Sequence, residues 1–90
     1  MEKVIITAVG MDGIGIIGSI CTFLAQKQIN ILDISQTIID GYFNMMMITD
    51  VSKMNDSFSN IQDELVLLGK SINIDIKMQH SHIFESMHRI

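Results

Sequence analysis

Apolar and polar positions change period several times along this chain, and each change marks an element. The apolar run Val4-Ile5-Ile6-Thr7-Ala8-Val9 predicts a strand over about Lys3–Val9. Ile17, Ile20, Cys21 and Leu24 then recur at helical spacing, which gives a helix over about Ile14–Gln28. Asn30–Ile39 reads as a second strand, with Ile34, Gln36 and Ile38 on one face. Asp40-Gly41 is a two-residue hairpin signal, because a type I′ turn takes Asn or Asp and then Gly at positive φ, and Tyr42–Val51 is the returning strand. Ser52–Ser57 is a polar connection in which Asp56 or Ser57 serves as N-cap. Phe58, Ile61, Leu65 and Leu68 form the stripe of a second helix, with Gly69 placed to end it as the C′ residue. Finally Ile72, Ile74, Ile76 and Met78 alternate with Asn73, Asp75, Lys77 and Gln79, the clearest half-buried strand in the sequence.

The order βαββαβ predicts an α+β fold, the ferredoxin-like plait. Two right-handed βαβ units interleave into one four-stranded antiparallel sheet with both helices on one face. The other face then needs cover, and Ile5, Val9 and Met45 or Met47 are expected to point that way. Met45-Met46-Met47 is read as packing on both sides of the sheet, since neighbours in a strand face opposite ways, rather than as a soft binding surface. The tail, residues 79–90, carries Ile83, Met87 and Ile90 at i, i+4 and i+7. That spacing predicts a short amphipathic helix, marginal alone and therefore docked on the sheet or on a partner subunit.

Ninety residues without a composition break or a proline make a single domain, residues 1–90. A chain of this size buries roughly 60–70% of the surface its unfolded form exposes, so no staple is required. The net charge is −4 and Arg89 is the only arginine, so the clustered cations that nucleic-acid binding needs are missing. Cys21 is the single cysteine; it excludes an internal disulfide or a CxxC pair and sits on the apolar face of the first helix as a small hydrophobe. The N-terminal apolar run is too short for a signal peptide or a membrane span, so a cytoplasmic location is expected.

Chemistry concentrates at Gly10-Met11-Asp12-Gly13-Ile14-Gly15-Ile16, between the first strand and the first helix. Such a turn sets unpaired N–H groups beside the positive end of a helix dipole, suited to a small anion or carboxylate, and Asp12 adds a charge that would hold an ammonium group. The plainer reading is a tight connection, with Gly10 supplying positive φ and Gly15 letting helix and sheet approach. Neither GxGxxG nor a Walker Gly-Lys-Ser/Thr is present. Asn30 either closes the helix-to-strand turn or belongs to a site. Because strands one and two run parallel in the plait, it lies about 20 Å from the glycine turn, and only a second subunit related by a two-fold axis brings the two together. His80, His82 and His88 lack the companions of a metal site and read as a solvated tail. No nucleophile sits beside a histidine at catalytic spacing, so no catalytic residue, metal or cofactor is expected.

Gly10-x-Asp12-x-x-Gly15-Ile16, followed about fifteen residues later by Asn30-Ile31 on a βαββαβ frame, resembles the ACT domain. Asp33-Ile-Ser-Gln-Thr, Tyr42-Phe-x-Met-Met and Ile83-Phe-Glu-x-Met resemble the small stand-alone ACT proteins of bacteria and archaea, relatives of the ACT-containing glycine-cleavage repressor, so the resemblance spans essentially the whole chain. It implies a homodimer that binds an amino acid at the subunit interface through Gly10, Met11, Asp12, Gly13, Ile14, Gly15, Ile16, Asn30 and Ile31. Asp12 falls on the polar position of the turn, Gly15 on the glycine that opens the helix, and Asn30 on the asparagine given by the neighbouring subunit. Ile14 stands where many members have proline, and Gly10 where serine-binding members have a ligand-contacting histidine. The implied function is a regulatory sensor that modulates a partner enzyme or regulator. The rival implication is a constitutive interaction adaptor whose pocket is vestigial.

Overall fold

A computed structural model describes residues 1–80 in the order β1 (Lys3–Met11), α1 (Ile16–Gln26), β2 (Asn30–Ile39), β3 (Tyr42–Asp50), α2 (Phe58–Ser71) and β4 (Ile74–His80). The strands form one sheet in the order β2-β3-β1-β4 with every neighbouring pair antiparallel, which makes β1 and β2 parallel. This is the predicted plait. The tail helix expected from Ile83, Met87 and Ile90 lies outside the described residues.

One face of the sheet builds the core. Val4, Ile6 and Ala8 of β1, Phe43, Met45 and Met47 of β3, and Ile74, Ile76 and Met78 of β4 pack with Ile16, Ile20 and Leu24 of α1 and Ile61 and Leu65 of α2. Thr49 is buried among them, and its hydroxyl donates to the Val4 carbonyl at 2.7 Å. The register Ile6↔Met47, Thr7↔Met46 settles the methionine run. Met45 and Met47 face the helices, contrary to expectation, and it is Met46 that shares the open face with Ile5 and Val9.

The ends of the helices also differ from the sequence reading. α1 begins at Ile16 rather than Ile14, because Gly15 holds the left-handed conformation at φ 80° immediately before it. It stops at Gln26, and Gln28, at φ 62°, turns the chain; Asn30 is thus the first residue of β2 and does not close the turn. Gly69 does not end α2. The helix continues to Ser71, and Asn73 at φ 60° supplies the left-handed residue that leads into β4, so Ile72 belongs to the cap and not to the strand. The hairpin holds as read, with Asp40 at φ 52° and Gly41 at φ 78°. Ser57 is the N-cap of α2, its hydroxyl accepting the Asn60 N–H at 3.1 Å.

The two sheet edges are dressed differently. On β4 the Met78 N–H donates to Gln62 Oε1 at 2.9 Å, so an α2 side chain occupies that edge. On β2 the Ile34 N–H points outward and donates to the exposed Asp33 carboxylate at 2.8 Å. Both faces of β2 are open beyond Ile31, with Leu32, Ile34, Ile38 and Ile39 among the exposed large apolar side chains.

Lys27 joins the end of α1 to the start of α2, with its ammonium 2.6 Å from Glu64 and 3.6 Å from Asp56. The hydrogen bond to Glu64 raises the Lys27 pKa above its ordinary value. Asn60's amide holds the Asp56 carboxyl below the usual carboxylate range, and the Ser52 N–H does the same for Asp50. A depressed carboxyl contributes stability that is complete above its unfolded pKa of ~3.9 and lost as pH falls through the lower folded value. Thermal melting is therefore expected to hold its midpoint down to about pH 5 and to decline below about pH 4. Asp50→Asn and Asp56→Asn should each flatten that decline; an unchanged acid limb in both would reject the assignment.

Candidate functional site

The glycine turn sits where β1, α1 and the hairpin tip converge. β1 runs on to Met11, so Gly10 and Met11 are strand residues rather than part of the loop. The two glycine roles are the reverse of the sequence reading. A Cβ on Gly10 would overlap the Asn73 carbonyl oxygen and lie 2.8 Å from Ile74 Cδ1, so Gly10 permits a close approach. Gly15 instead supplies the positive φ, with open space around its Cα. The Asp12 N–H donates to the Gly41 carbonyl at 3.0 Å, which ties the turn to the β2–β3 hairpin. Ile14 is 107% exposed and faces away from everything described.

Helix α1 opens without help. No side chain caps it, no acidic residue stands in its first turn, and the first internal bond runs from Ser19 N–H to the Gly15 carbonyl at 2.9 Å. The N–H groups of Ile16, Ile17 and Gly18 are thus the unmatched donors every helix start leaves, gathered at the positive end of the dipole. They border a cavity of about 310 Å³, with Asp12, Gly13 and Gly15 on one side and Gln36, Ile38 and Phe43 on the other. That volume is at the small end of ligand pockets. A donor-rich wall, one carboxylate, one amide and an apolar floor suit a small zwitterion.

The sequence alone does not place Gln36, Ile38 and Phe43 there. The shared face of Ile34, Gln36 and Ile38 was legible as a pattern, but only the sheet order shows that this face projects beside the start of α1. Gln36 pairs with Met45 and Ile38 with Phe43, all on the helix side of the sheet.

The structure does not bring Asn30 and Ile31 to the turn. Gly10 pairs with Phe43 and Asn30 with Asp50, so seven residue steps along β3, about 23 Å, separate the two rows. Asn30 borders a separate polar hollow of about 240 Å³ with Gln28, Asp50 and Lys53. Within one chain the predicted set is therefore split between opposite ends of the sheet.

Residues 2–79 match the family model described as ACT domain. A UPF0237 protein of Bifidobacterium longum is 52% identical over 90 residues, covering all of both chains. Among solved structures, an ACT domain protein from Streptococcus pneumoniae superposes with a TM-score of 0.81 at 38% identity, over 93% of this chain and 94% of the other. A putative glycine cleavage system transcriptional repressor matches with a TM-score of 0.76 at 27% identity, over 87% of this chain and 44% of its own. No helix among the described residues is long and apolar enough to cross a membrane.

Proposed function

This chain belongs to the ACT domain family, whose members typically serve as ligand-sensing regulatory domains, and on that premise we propose that it is a cytosolic, non-catalytic sensor that binds an amino acid between two copies of itself. The observation that carries the reading is the uncapped start of α1 facing Asp12 and Gln36 across a cavity of about 310 Å³. The ligand carboxylate takes the free N–H groups of Ile16, Ile17 and Gly18, and its ammonium pairs with Asp12. Its side chain lies toward Gln36, Ile38 and Phe43.

The second copy supplies what one chain lacks. Outward N–H groups on β2 follow the parity of Ile34, which includes Gln36. A two-fold axis at Ser35 pairs Ile34 of one copy with Gln36 of the other and extends the sheet across the dimer. The same operation sets Asn30 of the second copy opposite the hairpin tip at Asp40, beside the glycine turn that Gly41 holds. A ligand that touches both copies favours one dimer geometry over another, and a partner enzyme or regulator reads that difference.

The test is thermal melting against each amino acid at millimolar concentration. Ligand at ~100 times its dissociation constant adds about 2.7 kcal/mol per site, or roughly 10–20 °C for a domain of this size. A rise of that order with one or two amino acids, lost in Asn30→Ala while the melt without ligand is unchanged, is the expected result. Flat curves across the panel would overturn the sensor reading in favour of a constitutive adaptor.

A further inference from the structure

β2 turns Ile34, Gln36 and Ile38 toward the helix side of the sheet, opposite Met47, Met45 and Phe43 of β3. That side is otherwise apolar along these rows, and Gln36 interrupts it. Thr49, the polar side chain that β3 places on the same side, spends its hydroxyl on the Val4 carbonyl. The Gln36 amide makes no hydrogen bond among the described residues. An unspent donor and acceptor therefore stand on the wall of the cavity beside the glycine turn.

The charges around that cavity are few. Its wall holds one ionisable side chain, Asp12, and no Lys, Arg or His among the described residues. In the binding mode proposed above, Asp12 meets the ammonium of the ligand, and the start of α1 meets its carboxylate. Both backbone charges are then answered, and nothing is left for a third. An acidic side chain would set a second carboxylate near Asp12 with no cation to pair it, and a basic one would need a second anion. The end of β2 that a second copy presents adds Asp50 and Lys53, one charge of each sign, so the balance does not change.

Size narrows the choice further. Phe43 and Ile16 are 2% and 5% exposed, a floor fixed by the core. At ~30 Å³ for a water-sized group, the cavity of about 310 Å³ holds about ten heavy atoms. An amino-acid backbone uses five of them. The side chain has room for about five more.

We infer that the site selects an amino acid with a short, uncharged, hydrogen-bonding side chain, and that Gln36 is the residue that reads it. The inference rests on the sensor reading and deepens it. Gln36 supplies one donor and one acceptor, which match a hydroxyl or a primary amide and leave a carboxylate or an ammonium without a counter-charge.

Near-isosteric pairs test it. The full chain is melted and titrated with asparagine against aspartate, and with threonine against valine, at equal millimolar concentrations. The uncharged polar member of at least one pair is expected to raise the midpoint by roughly 10 °C. Valine should bind about 2- to 10-fold more weakly than threonine, the worth of one hydrogen bond. Aspartate should bind about 100-fold or more weakly than asparagine. Gln36 is exposed and its side chain is unbonded, so variants there keep the fold. Gln36→Leu should erase the difference between threonine and valine, and Gln36→Lys should admit aspartate. A largest shift from a charged or an apolar amino acid overturns this inference and leaves the sensor reading standing. A threonine preference that persists in Gln36→Leu overturns the role of Gln36. Flat curves with every amino acid overturn the sensor reading, and this inference falls with it.

Discussion

Ile34→Pro is expected to leave a folded sheet but to convert the proposed dimer into a monomer without the proposed response to amino acids. The Ile34 N–H points away from β3 toward the exposed Asp33 carboxylate, so removing it costs no bond inside the sheet. Proline is tolerated at such outward positions of an edge strand. Across the proposed two-fold axis the same N–H meets a carbonyl of the second copy, and symmetry removes it twice. At about 1–3 kcal/mol for each stranded group, the dimer loses about 2–6 kcal/mol, a rise in dissociation constant of roughly 30-fold to 10⁴-fold. Sedimentation velocity at micromolar protein reads the mass, and the melting panel reads the ligand response. Ile34→Lys keeps the N–H and adds an edge charge, and it should weaken the dimer in the same direction. A dimer unchanged in both variants would remove β2 from the interface.

The second large effect concerns Gly69. By helix propensity alone, alanine in the interior of α2 should be better than glycine by about 1 kcal/mol. The neighbourhood reverses that sign. A Cβ at Gly69 would overlap the Ile74 carbonyl oxygen and stand 3.2 Å from Ile76 Cγ1, where α2 crosses β4. The obstacle is backbone, which cannot rotate away, and overpacking of this kind costs typically 1–3 kcal/mol and sometimes more. Gly69→Ala is therefore expected to lower the melting temperature by roughly 10 °C. Gly18→Ala is the matched control in α1, where nothing lies within 4 Å of the added methyl. There the propensity gain stands alone, and the melting temperature should rise by a few degrees. Equal responses from the two glycines would mean that the α2–β4 contact is looser than described.

The same glycines show what can be read from sequence and what cannot. Asp40-Gly41, Ser57 and the alternation through Ile74, Ile76 and Met78 announce themselves because the cause is local: a turn type, a cap, a period of two. The roles of Gly10, Gly15 and Gly69 are not legible in the sequence because glycine answers two different needs, positive φ and close approach, and only the packing of distant elements tells them apart. Met45-Met46-Met47 offers no polar contrast, so its parity came from pairing with β1 and not from the run itself. The candidate cavity was half legible. Its glycine turn stands out in the chain, but Gln36 and Phe43 reach it through the sheet order, and the place proposed for Asn30 depends on a second molecule that no single-chain pattern encodes.

The hydrogen bond from Met78 to Gln62 has a consequence for stoichiometry. An antiparallel sheet with two raw edges is a bifunctional monomer: each addition exposes a new edge, and growth has no natural end short of a fibre. Here the chain's own α2 occupies β4 at the outward N–H of Met78, which favours β2 as the edge for the proposed pairing. Paired through β2 alone, as proposed, such a molecule would saturate on meeting a single copy of itself and give a closed pair with a defined symmetry rather than a distribution of lengths.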